Sequence, residues 1–170
     1  MKEYDIAARN FYAKQELNCL PLGSWDLFSS KFSVLCKGLD EVALLKNMAI
    51  AEKWQDHSFL EKEILKNNLV VVLTDAALNI VHASDSIYNM NGYRPDEIIG
   101  KKPKMFQGEK TCKKTTQNIR HAIEQELPFE ATVLNYRKDG STYKCWIKGA
   151  PIRNTKGEVV NFIAFEREVA

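Results

Sequence analysis

The chain has 170 residues, of which 45% are hydrophobic and 27% charged, with a formal net charge of +2. This suits one ordinary domain with an extension and a sizeable core, and the charge is too small to point to nucleic acid as a partner. No apolar run approaches the ~20 residues that cross a bilayer, the opening residues lack a secretion signal, and Cys19, Cys36, Cys112 and Cys145 are widely spaced with no CxxC; a reduced, cytoplasmic protein with no metal site is expected.

Residues 1–65 read as helical. Ile6, Ala7, Phe11, Ala13 and Leu17 fall on one face of a short helix over residues 5–17, closed before Pro21. Residues 20–24 form a break, and Ser24 or Asp26 can cap the next helix. Leu27, Phe28, Phe32, Leu35 and Cys36 recur at helical spacing, and Gly38 and Asp40 then mark a stop and a new start. Val42, Leu45, Met48, Ala49 and Ala51 carry the pattern to Trp54, and Phe59, Leu60, Ile64 and Leu65 close the region. No heptad is sustained, so several short helices are expected rather than one long one.

From Leu69 the period becomes two. LVVVLTD is a buried strand, ALNIVHA a turn and second strand, and short helical turns broken at Pro95 lead to Gly100. Residues 111–126 form a helix with Ile119, Ala122 and Ile123 on one side, ended by Pro128. Residues 129–137 enter a meander of three antiparallel strands. Asp139-Gly140 predicts a two-residue type I′ hairpin, and Asn154-Thr155-Lys156-Gly157 a second turn with Gly157 in the left-handed position. The order gives an α+β domain, residues 66–170, with a five-stranded antiparallel sheet and helices on one face, preceded by the helical extension of residues 1–65.

Asp75, ASDSI at 83–87, NGYRPDEIIGK at 91–101, FQG at 106–108, IRHAI at 119–123 and NYRKDG at 135–140 occur in an order that resembles the PAS superfamily, and within it the flavin-binding LOV branch. The resemblance covers about residues 68–168 and implies a PAS fold with a sensory role. In LOV domains a cysteine after Gly-x-Asn bonds to photoexcited flavin. Here the segment reads GKKPKMFQG, which puts Pro103 at the cysteine and Lys102 at the asparagine, so the resemblance implies no photoadduct. Gln107, Arg120 and Asn135 match the family's flavin contacts. Lys104 replaces the phosphate-binding arginine, Cys145 an asparagine and Glu166 a glutamine, and a carboxylate at that last place would repel the flavin carbonyl.

Alternation puts Phe129, Ala131, Val133 and Asn135, then Tyr143, Cys145 and Ile147, then Phe162, Ala164 and Glu166 on one face, the cofactor-holding face in the family. Gln107, Arg120, Asn135, Cys145 and Glu166 are the candidate pocket residues. The favoured expectation is that these groups satisfy one another, with Arg120 balancing Glu166, and that side chains fill the pocket without a cofactor. Flavin, and behind it haem on the helix histidine His121, are the alternatives. His82 and His57 have no evident role, and Lys101, Lys102, Lys104, Lys113 and Lys114 form a basic, solvated cluster.

The opposite face carries Leu134, Tyr136, Trp146, Ile163 and Phe165, an apolar patch that invites cover. Residues 1–65, with Trp25, Phe28, Leu45, Trp54, Phe59 and Leu60, are expected to cap it and to build a homodimer. No Ser-His-Asp set, metal cluster or phosphate loop appears in these residues, and output is expected to pass through the helical extension or a partner. The expectation is therefore a non-enzymatic sensory or regulatory module that acts through protein contacts. A receptor for flavin, haem or a metabolite is the alternative.

Overall fold

The structure, a computed structural model, describes residues 23–67 and 69–170, the side chains of 23–31 excepted; the helix expected over residues 5–17 lies outside them. Gly38–Ala170 form one compact unit, and the part of the first helix before Gly38 falls outside it.

The helical elements are α1 (Gly23–Ala51), α2 (Phe59–Glu61, running into a π-helical turn at Lys62–Lys66), α3 (Ile87–Asn91), α4 (Pro95–Ile98) and α5 (Lys113–Glu124), with a 3-10 turn at Pro103–Phe106. The strands are β1 (Val70–Asp75), β2 (Ile80–Ala83), β3 (Phe129–Tyr136), β4 (Thr142–Arg153) and β5 (Val159–Val169). They make one antiparallel sheet in the order β2-β1-β5-β4-β3. Apolar β-branched residues fill central β1, which is buried on both faces, whereas edge strand β3 alternates buried and exposed positions.

Instead of several short helices, α1 runs unbroken through Gly38 and Asp40 for 29 residues. Gly38 does not stop it: the glycine sits inside the helix, facing Leu65, whose Cδ2 would lie 2.9 Å from a Cβ there. The first hairpin also differs from expectation. A type I′ turn needs positive φ at both central residues, and Asp139 does not have it. Gly140 N–H instead donates to Arg137 O at 3.0 Å with Gly140 at φ +85, a three-residue loop held by Ser141 N–H on the Asp139 carboxylate.

Two cores lie on the two faces of the sheet. On one, Val42, Leu45 and Ala49 of α1, Trp54, Leu60 and Ile64 pack on Val71, Leu73, Ile152, Ile163 and Phe165, with Trp146 alongside. Phe59 meets Phe165 edge-on at 6.1 Å, Lys148 pairs with Glu63 at 2.8 Å, and the Trp54 indole N–H donates to Asn161 Oδ1. Ser84 Oγ donates to Glu41 of α1 at 2.5 Å, and His82 Nε2 lies 3.3 Å from the same carboxylate. Trp146, Ile163 and Phe165 are thus covered. Leu134 and Tyr136 are not in this core: at the end of an edge strand, Tyr136 lays its ring against Gly108 and its hydroxyl accepts from Lys110 N–H. Of the expected covering residues, Trp25 and Phe28 lie where no side chain is described.

On the other face Val70, Val72, Ile80, Ile87, Met90, Ile98 and Phe106 join Tyr143 and Cys145 of β4 in a second core. Alternation along β5 therefore sends Ile163 and Phe165 to the helical cap and Ala164 and Glu166 to the opposite side. No described helix is long and apolar enough to cross a membrane.

Candidate functional site

A cavity of about 100 Å³ opens on the concave face of the sheet. Val72 and Thr74 of β1, Phe129, Val133 and Asn135 of β3, Ile147 of β4 and Ala164 and Glu166 of β5 form its floor. Pro103, Phe106 and Gln107 close one side, and Ile119 and Ile123, one turn apart on α5, close another. The Phe129 ring lies over Gly149, where a Cβ would come within 2.3 Å of it.

At the polar end the sheet register brings together residues far apart in sequence. Asn135 is paired with Tyr143 across β3 and β4, and Glu166 of β5 stands beside Ile147 of β4 and Val70 of β1. Glu166 is only 5% exposed, and burial pushes its carboxyl up to about 7 because the charged form loses its hydration. The Cys145 thiol, 3.5 Å from Glu166 Oε2, donates to it and offsets a little of that rise. Burial first, and then the Glu166 charge, drive the Cys145 thiol far above its ordinary range. Burial raises the Tyr143 phenol likewise, helped by charge on Cys145 and Glu166 and opposed by the Asn135 and Asn91 amides.

Three buried polar atoms around Tyr143 lack a hydrogen-bond partner of good geometry: Asn91 Nδ2, Asn135 Oδ1 and the Tyr143 hydroxyl. Asn91 has its other amide atom engaged, with Oδ1 accepting from Tyr93 N–H at 3.0 Å. The Arg137 guanidinium covers this end. It sits 4.5 Å over the Tyr143 ring, donates to Met90 O and pairs with Glu168 at 2.6 Å.

Gln107, Asn135 and Glu166 thus line the cavity, and Cys145 stands behind Glu166. Arg120 does not join them. It projects from the outer face of α5 with its side chain 80% exposed and pairs with Glu124, so the expected balance for Glu166 is not formed and burial raises the carboxyl's affinity for its proton. His121 is exposed and lies between Ile119 and Ile123 in sequence, which turns it away from the cavity they line and removes it as an axial ligand. His82 faces Glu41 on the cap, and His57 is half-buried in the turn before α2. Lys101, Lys102, Lys104, Lys113 and Lys114 are exposed. Tyr143 and Asn91 are the polar residues that sequence reasoning missed. Alternation put Tyr143 on the concave face without singling out its hydroxyl, and Asn91 stood only within the family-like run at 91–101; their meeting across the fold has no local signal.

A PAS domain family model matches residues 67–170. Phototropin-2 of Oryza sativa subsp. japonica is 35% identical over 91 residues, 54% of this chain and 10% of its own length. Protein TWIN LOV 1 of Arabidopsis thaliana is 39% identical over 88 residues, 51% of this chain and 22% of its own. The blue-light-activated histidine kinase of Brucella anthropi is 33% identical over 90 residues, 53% of this chain and 18% of its own. The chain therefore spans between a tenth and somewhat over a fifth of the length of these relatives. Among solved structures, the dark structure of the blue-light photoreceptor aureochrome1 LOV domain superposes with a TM-score of 0.62 at 33% identity, over 68% of this chain and 85% of that one. A LOV domain studied with a flavin analogue superposes with a TM-score of 0.62 at 30% identity, over 68% of this chain and 87% of that one. With the family model across residues 67–170 and solved LOV domains superposing on the chain, the protein belongs to the PAS domain family, with LOV domains among its homologues.

Proposed function

We propose that this chain is a cytoplasmic, non-enzymatic PAS module that acts through protein contacts and homodimerises, its helical cap reading the state of the concave-face cavity through β5. The observation that carries the reading is the alternation along that strand. Ala164 and Glu166 line the cavity while Ile163 and Phe165 anchor the cap. A change in what Glu166 bonds to, or in how close β5 sits to β1 and β4, reaches the cap through its own backbone neighbours. Packed cores respond to such shifts by discrete rearrangement.

The residues present do not fit the flavin of the LOV relatives. The cavity of about 100 Å³ is well below the ~300 Å³ at which pockets begin to bury drug-sized ligands. Pro103 lines it where light chemistry needs a thiol, and Arg120 faces outward. Those placements support a reading without LOV photochemistry. Burial holds Cys145 and Tyr143 in their neutral forms, which supports reading these two as packing groups and not as nucleophiles. The three cysteines among the described residues are free thiols, in keeping with a reducing compartment.

The relay is tested by filling the cavity. Ala164→Leu should change amide hydrogen exchange in residues 38–51 and 59–66, on the far side of the sheet, and move the monomer–dimer equilibrium in sedimentation. Exchange changes confined to the cavity side would refute it. A second reading, a small-ligand receptor, is favoured by the unpartnered Asn135 Oδ1 at the cavity wall.

A further inference from the structure

We propose that Asn161 is a positioning residue of this module: its side-chain amide ties the Thr74–Phe162 rung at the cavity wall to the Trp54 indole of the cap. For its signalling consequence this rests on the sensory reading above; the tie itself stands on the geometry of four residues. Alternation along β5 gives the starting point. Phe162 lines the cavity, while its neighbour Asn161 points to the cap side with Ile163 and Phe165. Thr74 of β1 is paired with Phe162 across the sheet, and it lines the same cavity.

The bonds come next. Asn161 is 1% exposed, and both ends of its amide are engaged. Its Nδ2 donates to Thr74 O at 3.2 Å, and its Oδ1 accepts from the Trp54 indole N–H at 2.9 Å. An indole N–H only donates and a backbone carbonyl only accepts, so the amide has one orientation here and cannot turn over. Trp54 is buried and shares the cap core with Val42, Leu45 and Ala49. Lys53, at φ +56, reverses the chain after α1. Gln55 N–H on Arg153 O and Thr155 N–H on Lys53 O then clip this reversal to the turn between β4 and β5.

The ladder is irregular on both sides of this rung. The β1–β2 register shifts between Leu73 and Thr74, and the β4–β5 register shifts between Ile152, the partner of Asn161, and Arg153. Such irregular pairing braces a strand less than a continuous ladder does. A buried donor or acceptor is costly to leave unmade. Displacement of the rung therefore either carries the indole with it or breaks the bridge, and both change how the end of α1 is held.

The experiment uses the full chain and Thr74→Ile, which enlarges a side chain at the cavity wall and keeps the carbonyl that Asn161 holds. The Trp54 indole ¹H–¹⁵N resonance, assigned through its ring protons, should shift. Amide exchange over residues 42–49 should change by roughly fivefold, the size of one hydrogen bond. The Trp146 indole, which donates to Glu130 at 2.8 Å, should stay where it is. In the Trp54→Phe background, where a ring remains and the N–H is gone, Thr74→Ile should leave cap exchange unchanged. A bond that serves stability alone has a different signature: Trp54→Phe lowers cap protection, and the effect of Thr74→Ile persists in it. That persistence would overturn the bridge and spare the relay through Ile163 and Phe165. An unmoved Trp54 indole in Thr74→Ile overturns the bridge as well, and it decides alone should Trp54→Phe fail to fold. Should Thr74→Ile fail to fold, Thr74→Ser opens the wall instead and is read in the same way. Cap exchange that answers Thr74→Ile but not Ala164→Leu would support the bridge and sink the relay.

Discussion

Replacing Glu166 by glutamine keeps the shape of a buried side chain and removes its proton equilibrium. The native carboxyl titrates at about 7 against an ordinary 4.5 in the unfolded chain, so the folded state binds more protons between those values. Stability is therefore full below pH 4.5 and falls as pH rises through 7, where the native protein must ionise a carboxyl with little hydration. At about 1.4 kcal/mol for each tenfold difference in proton affinity, the loss approaches about 3 kcal/mol. Cys145 Sγ can donate to a glutamine oxygen as it does to Glu166 Oε2, so packing changes little. Urea unfolding of both proteins at half-unit steps from pH 5 to pH 8.5 measures the difference, because other titrating groups cancel between them. The glutamine variant is expected to gain about 2.5 kcal/mol on the wild type between pH 5 and pH 8.5, with an unchanged m-value. A difference that stays flat, or one that favours the wild type as pH rises, would refute the burial argument.

Further outcomes concern the cap. Phe165→Ala removes a buried ring that Phe59 meets edge-on and should cost about 3–5 kcal/mol in urea, with cap amides losing protection; a loss under about 1 kcal/mol would mean the cap does not depend on this anchor. Gly38→Ala should be neutral or stabilising by up to about 1 kcal/mol, since the helix gains propensity and the close neighbour is the movable end of Leu65; a clear destabilisation in the same assay would show that this contact is rigid. Lys148→Ala leaves the buried Glu63 carboxylate with only Asn67, at a cost of about 1–2 kcal/mol near neutral pH. The Lys148 hydrogen bond holds Glu63 below the ordinary carboxylate range, so this cost should shrink as pH falls through that range, and a loss constant down to pH 3 would contradict the pairing.

Much of the fold was legible because its signals are local. The switch to a two-residue period at Leu69, Pro95 at the start of α4, Pro128 after α5 and the glycines at 140 and 157 each depend on a few neighbouring residues. Local rules erred inside one helix and at one turn. Gly38 reads as a stop until Leu65 packs against it, and Asp139-Gly140 reads as type I′ until the observed loop geometry places only the glycine at positive φ.

By itself the sequence determined the order of elements, the two faces of the sheet through alternation, and therefore that Asn135, Cys145 and Glu166 share one side while Trp146, Ile163 and Phe165 share the other. Alternation is a property of the extended backbone and needs no partner. Only the tertiary structure decided which polar groups meet. Helix rotation turned Arg120 and His121 outward while keeping Ile119 and Ile123 at the cavity, and sheet register set Tyr143 beside Asn135 and Cys145 within reach of Glu166. The protonation of Glu166 was decided there too. A carboxyl's affinity for its proton depends on the water and charges that the folded chain leaves around it, and the order of residues does not contain that.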